Sequence, residues 1–308
     1  MGHAPTETPM NVFAMDFMRT ALAAALLIGL SLSILGVFLT LRRMAFSGLA
    51  VSQWAGLGTV IGVALGWHWG ADALALGFVA LGMYLLTRLS NGRRTRPDSW
   101  VASLYVLGAA GAVLVLAKAP RGESETLSLF FGNVLALTGV EVKEALGLFL
   151  VTAATLGLGF YRWVWVSFDP VSAEVAGVRV ARWTFAFNLL FAIAMTLAIH
   201  IVGVLLAFAF LLLPATAGLT SGARLKTVFV GAAGTAIVAT LLGFVFSVRW
   251  DLPTGPLVAA LLASRIILLL VVRISRVNPR KPRTRAYSIN HCWRIPPSPS
   301  PCQPGWII

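Results

Sequence analysis

Apolar residues fill this chain in long blocks, and most charges fall in the short gaps between them. A helix needs about 20 apolar residues to cross a hydrocarbon core of about 30 Å. By that measure the pattern predicts spans over residues 17–41, 46–67, 71–89, 99–117, 141–166, 225–248 and 257–272. A further run, 183–219, is apolar almost throughout. As a single helix it would reach about 55 Å at a rise of 1.5 Å per residue, too far for one crossing. Arg179 and Arg182 precede it, and Arg224 and Lys226 follow it. Basic residues collect on cytoplasmic loops, so both ends lie inside and the run crosses twice, turning near residues 200–203.

The fold class is therefore an all-α polytopic membrane protein with about nine transmembrane helices. Arg42 and Arg43 after the first span place the N-terminus outside. Arg273, Arg276, Arg280, Lys281, Arg283 and Arg285 place the C-terminus inside. Residues 1–16 form a short extracytoplasmic segment, 17–276 the transmembrane domain, and 277–308 a basic tail. The tail is rich in Pro, Arg and Ser, lacks an apolar period and reads as disordered. Gly58, Gly62 and Gly66 recur every fourth residue, a stripe that lets a neighbouring helix approach closely. The segment 120–140 lies outside, and its apolar part, 127–137, is too short to span and reads as an interfacial or re-entrant piece.

One short stretch breaks the pattern. Residues 167–180 read SFDPVSAEVAGVRV. Asp169 can cap a helix with its carboxylate, and Pro170 suits the first helical position. Gly177 suits the position just past the end, where a left-handed backbone is needed. Val171 and Val175 lie one turn apart. The helix is too short to cross a bilayer, so it lies at the cytoplasmic surface. It reads either as a face offered to a partner or as a capped connector between spans.

Composition narrows the chemistry. The chain is 58% hydrophobic and 11% charged, far below the quarter typical of soluble domains. Its net charge of +13 invites a nucleic-acid reading, but the basic residues sit beside apolar blocks, where membrane topology puts them. Cys292 and Cys302 lie in the tail and imply no disulfide framework, and with His291 they lack zinc-finger spacing. No phosphate-binding GxxxxGK[ST] loop occurs, so ATP hydrolysis is not a property of this chain. No HExxH, GxSxG or paired-carboxylate motif occurs either. Asp16, Asp72, Asp98, Glu141 and Asp251 all fall at span ends, which leaves a proton-driven carrier without buried carboxylates.

SFDP with its short helix and glycine, IVGVLLAFAFLLLPATAG over 201–218, and DLPTGPLV over 251–258 together resemble the membrane subunit of zinc- and manganese-type ABC importers. The likeness runs from residue 17 to about 276. It implies a permease in a bacterial cytoplasmic membrane, with ATP bound by a separate ATPase and no covalent cofactor. It implies that residues 169–178 are a coupling helix docking on that ATPase, with Ser167, Phe168, Asp169, Pro170, Val171, Glu174 and Gly177 forming it. It further implies a second copy of the chain, a periplasmic or surface metal-binding protein, and a divalent metal as cargo.

The cargo path departs from the family. Relatives carry an acidic residue and, one helical turn later, a histidine near the start of the second span; here these are Leu49 and Gln53. Leucine cannot ligate, and Gln53 offers only a neutral carbonyl oxygen. Ser52 matches the family's serine. The departure leaves open a chelated metal or another small solute as cargo. His200, deep in the apolar chain, reads as a ligand or as a histidine capping the outer turn. Asp251 reads as a gate or docking contact, or as a plain turn residue before Pro253. Asn188 and Thr196 read as hydrogen-bond partners between helices.

Overall fold

A computed structural model describes residues 16–42, 44–67, 70–90, 97–118, 139–221 and 224–276. Their regular structure is entirely helical: α1 (Asp16–Leu41), α2 (Ala45–Ala64), α3 (Ala71–Ser90), α4 (Pro97–Leu116), α5 (Gly139–Leu158), α6 (Phe160–Phe168), α7 (Pro170–Val175), α8 (Val180–Val202), α9 (Val204–Ser221), α10 (Leu225–Trp250) and α11 (Thr254–Arg276). The 127–137 piece, His68, His291 and both cysteines lie outside the described residues. A compact unit runs to Leu270; of the second unit, which begins at Val271, residues 271–276 are described and are helical.

Among the described residues, six helices are long and apolar enough to cross a membrane: Phe17–Leu41, Phe46–Ala64, Ser99–Leu116, Val180–Val202, Val204–Ser221 and Leu225–Trp250. The apolar parts of α3 and α11, Ala73–Leu86 and Thr254–Leu269, are shorter. The long run divides within the expected stretch 200–203. Gly203, at φ 84° and ψ 163°, separates α8 from α9.

The stretch expected as one span over 141–166 is instead two helices, bent by 77° between α5 and α6. Gly159 sits at the bend. A helix end frees backbone carbonyls, and the Trp163 indole N–H reaches back to the Thr155 carbonyl at 3.0 Å. A side chain at Gly159 would meet the Trp163 and Trp183 rings at 2.9–3.0 Å, so glycine lets the aromatic residues close the elbow.

Helix α1 is the axis of the bundle, packing on α9, α10 and α5, and less extensively on α8, α6 and α2. Helices α2, α3 and α4 form a second group, which α8 bridges to the first by touching α2 and α3 on one side and α1, α5 and α9 on the other. Close approach uses glycine, because helices packed without a hydrophobic drive gain from backbone proximity. At Gly58 a β-carbon would lie 2.6 Å from the Ala75 α-carbon, and at Gly62 2.5 Å from that of Ala71. The expected stripe is thus real for those two. Gly66 does something else: at φ 71° it ends α2, with its N–H on the Val63 carbonyl and that of Trp67 on Gly62. The hydroxyl of Thr196 is buried and has no hydrogen-bond partner among the described residues, so its expected interhelical bond is not made.

Candidate functional site

The helix α7 is built by its own six residues and their caps. The Asp169 carboxylate accepts hydrogen bonds from the Ser172 backbone N–H, at 3.0 Å, and from the Ser172 hydroxyl. These bonds hold the Asp169 carboxyl below the usual carboxylate range. Pro170 occupies the first turn, where no N–H is needed. At the other end Gly177, at φ 82°, donates to the Glu174 carbonyl at 2.9 Å, and Val178 donates to Ala173 at 3.0 Å. These paired bonds satisfy carbonyls the helix leaves open. A helix this short is unstable alone, and both caps are needed to fix its shape.

The caps decide what α7 shows. Ala173 is fully buried, while Val171 is 71% and Val175 87% exposed. Phe168, Pro170, Ser172 and Glu174 are exposed as well. Two apolar residues one turn apart therefore point away from the bundle, flanked by polar groups. That arrangement is open to a face offered to a partner and to a capped connector alike.

The base of α7 is anchored inward. Ser167 is buried, and its hydroxyl donates to the Trp163 carbonyl at 2.6 Å. The same oxygen accepts from Arg42 Nε at 3.0 Å. The Arg42 guanidinium carbon lies 4.1 Å from the centre of the Phe187 ring. Burial lowers the Arg42 pKa to about 10, so it stays charged at neutral pH. Around it Phe38, Phe160, Trp163, Trp183, Phe187 and Phe229 form a cluster of edge-to-face and tilted ring pairs joining α1, α6, α8 and α10. Arg42 served only to assign topology in the sequence; nothing local tied it to Ser167.

The residues of the expected cargo path do not converge on one buried centre. Ser52 is buried, its hydroxyl turned back to the Leu49 carbonyl at 2.8 Å. Leu49 is half-buried. Gln53 is 7% exposed and lies where α4 crosses α2: a β-carbon on Gly108 would meet the Gln53 β-carbon at 3.1 Å. The neighbouring Trp54 donates its indole N–H to the Leu104 carbonyl at 2.9 Å, fixing that crossing. His200 is exposed in the last turn of α8. Asp251 is exposed and left-handed, at φ 55°, ending α10, with Leu252 donating to the Ser247 carbonyl. That is the geometry of a turn residue, which Asp tolerates better than most. No group of three or more His, Cys, Asp or Glu able to hold a metal occurs among the described residues.

A family model described as the ABC 3 transport family matches residues 14–273. The chain belongs to the ABC 3 transport family. The match takes in α1 to α10 whole, the capped helix and its anchor included. Among relatives, the chain is 29% identical to the manganese transport system membrane protein MntC of Halalkalibacterium halodurans, over 80% of this chain and 83% of that one. It is 23% identical to the manganese import system permease protein ScaB of Streptococcus gordonii, over 82% of this chain and 90% of the other. The fold is similar to that of PsaBC from Streptococcus pneumoniae, solved in complex with Fab, with a TM-score of 0.76 at 20% identity over 85% of this chain and 93% of that one. It also resembles a metal-chelate type ABC transporter solved in an inward-facing conformation, with a TM-score of 0.67 at 17% identity over 88% of this chain and 92% of that one.

Proposed function

We propose that this family member is the permease subunit of an ATP-driven importer of divalent metal, manganese first. The observation that carries this reading is α7: a doubly capped helix with two outward valines, in a chain matched by an ABC transport family from residue 14 to 273. The relatives named for manganese import supply the cargo class. Energy comes from a separate cytoplasmic ATPase that grips residues 169–178. Two copies of the chain, each offering one such helix, form the path, and an extracytoplasmic binding protein delivers the metal. Nine crossings, with the N-terminus outside and the C-terminus inside, put α7 on the ATPase side. Six span-length helices, the bent α5–α6 pair and the two shorter apolar helices supply nine elements for this topology.

A second reading keeps the machine and changes the cargo to a chelated metal or small solute. It is favoured by Leu49 and Gln53, which put no anionic ligand at the crossing of α2 and α4. One reconstitution separates the two. The chain is assembled with its ATPase and binding protein in liposomes, and uptake of free manganese(II) and zinc(II) is followed with ATP turnover. Metal-stimulated turnover with manganese uptake is expected. Loss of co-purification with the ATPase would refute the subunit assignment. Free metal left outside, while Leu49→Asp with Gln53→His admits zinc, would favour the second cargo.

A further inference from the structure

We propose that Arg42 transmits movement of the ATPase-facing helix to the first transmembrane helix by latching onto Ser167. The inference rests on the reading of α7 as that helix, and adds the contact through which its motion reaches the bundle. Arg42 directly follows α1, and Ser167 stands two residues before the Asp169 cap of α7. The two are 125 residues apart in the chain yet share a 3.0 Å hydrogen bond. From the same guanidinium a cation–π contact reaches Phe187 on α8. Phe187 in turn touches Phe38 on α1, with ring centres 6.4 Å apart, and Trp163 on α6, at 5.9 Å. One side chain thus joins the base of α7 to α1 and α8, and α1 carries α9, α10 and α5 with it.

The chemistry calls for arginine. A planar guanidinium can lie on a ring face while donating in its own plane to a hydroxyl. Lysine, a point charge on a flexible stem, cannot hold both contacts together. The arrangement is also only partly satisfied. One terminal nitrogen, Nη2, is buried with no acceptor among the described residues. A donor left unpaired disfavours the arrangement that buries it. Among the described residues the latch is therefore held by one hydrogen bond and one ring face, and can be remade when the elbow moves. Ser167 is well placed to lead that motion, because its hydroxyl is at the same time tied to the Trp163 carbonyl inside α6.

The test uses the full complex of permease, ATPase and binding protein in liposomes, reading manganese(II) taken up per ATP hydrolysed. Arg42→Gln and Arg42→Lys are both expected to keep ATPase binding and hydrolysis while uptake per ATP falls at least about fivefold, the low end of coupling free energies between sites. Ser167→Ala should lose less. The double variant should be no worse than Arg42→Gln alone, because both remove one contact. A wild-type ratio in Arg42→Lys, proportional loss of hydrolysis and uptake, or additive effects in the double variant would each overturn the proposal. If Arg42→Gln does not assemble, Ser167→Ala carries the test, and an unchanged ratio there overturns it. Failure of the α7 reading itself looks different: α7 variants would then retain full ATPase affinity.

Discussion

Replacing Gly36 by alanine is expected to cost about 3 kcal/mol or more of stability, from overpacking alone. A β-carbon there would lie 1.8 Å from the Leu211 carbonyl oxygen and 2.8 Å from its carbon. Both are backbone atoms of α9, so no rotamer change relieves the clash; the helices must part. They pack along a continuous seam. A β-carbon on Gly29, two turns earlier, would lie 3.0–3.2 Å from the Phe210 ring, and one on Gly48 of the neighbouring α2 would lie 2.7 Å from a Leu211 methyl. Parting α1 from α9 would open the centre of the bundle, where Leu32, Leu35, Phe38, Phe210 and Leu211 are buried. Thermal unfolding of the purified permease in detergent measures the loss. Gly147→Ala on α5 and Gly234→Ala on α10 are the controls, since nothing lies within 4 Å of either added methyl. Those two should be neutral or slightly stabilising, as alanine is the better helix former. Equal stability of Gly36→Ala and the controls would mean that α1 and α9 are not packed this closely.

The second large effect is on assembly. Val171→Asp with Val175→Asp should leave the fold intact and weaken ATPase binding about a hundredfold or more. Both valines are exposed, so the bundle loses no packing when they change. In a docked complex each would bury its side chain, worth about 1.5 kcal/mol or more apiece. At 1.4 kcal/mol per tenfold, the pair accounts for about two decades of affinity. Binding of the ATPase to the variant permease gives the number, and an unchanged unfolding temperature gives the control. Wild-type affinity would leave α7 as a plain connector. A milder companion change separates cap from contact. Asp169→Asn keeps an acceptor at the helix start and should keep binding, whereas Asp169→Ala removes it and should lower both order and affinity.

How much of this was legible in the sequence depends on the range of each interaction. The ends of α7 were readable because Asp169 and Gly177 act on backbone groups within a few residues and Pro170 suits the first turn by its own geometry. The break at Gly203 was readable because helix length and flanking charge bound it. The elbow at Gly159 was not, since 141–166 is apolar enough to pass as one span and the bend is sealed by rings from α6 and α8. Gly66 was misread as seam because a regular spacing of glycines does not distinguish a packing glycine from a helix-ending one; its positive φ does.

Apolar length and basic flanks, properties of single segments, determined that this chain is a multi-span helical membrane protein. Neighbouring residues determined that one short capped helix stands apart from the spans. Tertiary structure alone decided which way that helix faces, that Arg42 and Ser167 meet across 125 residues, and that Gly36 is where the two central helices touch. The physical reason is that caps and bilayer crossings are satisfied locally, whereas close approach and orientation are set by partners that the linear order of residues keeps far apart.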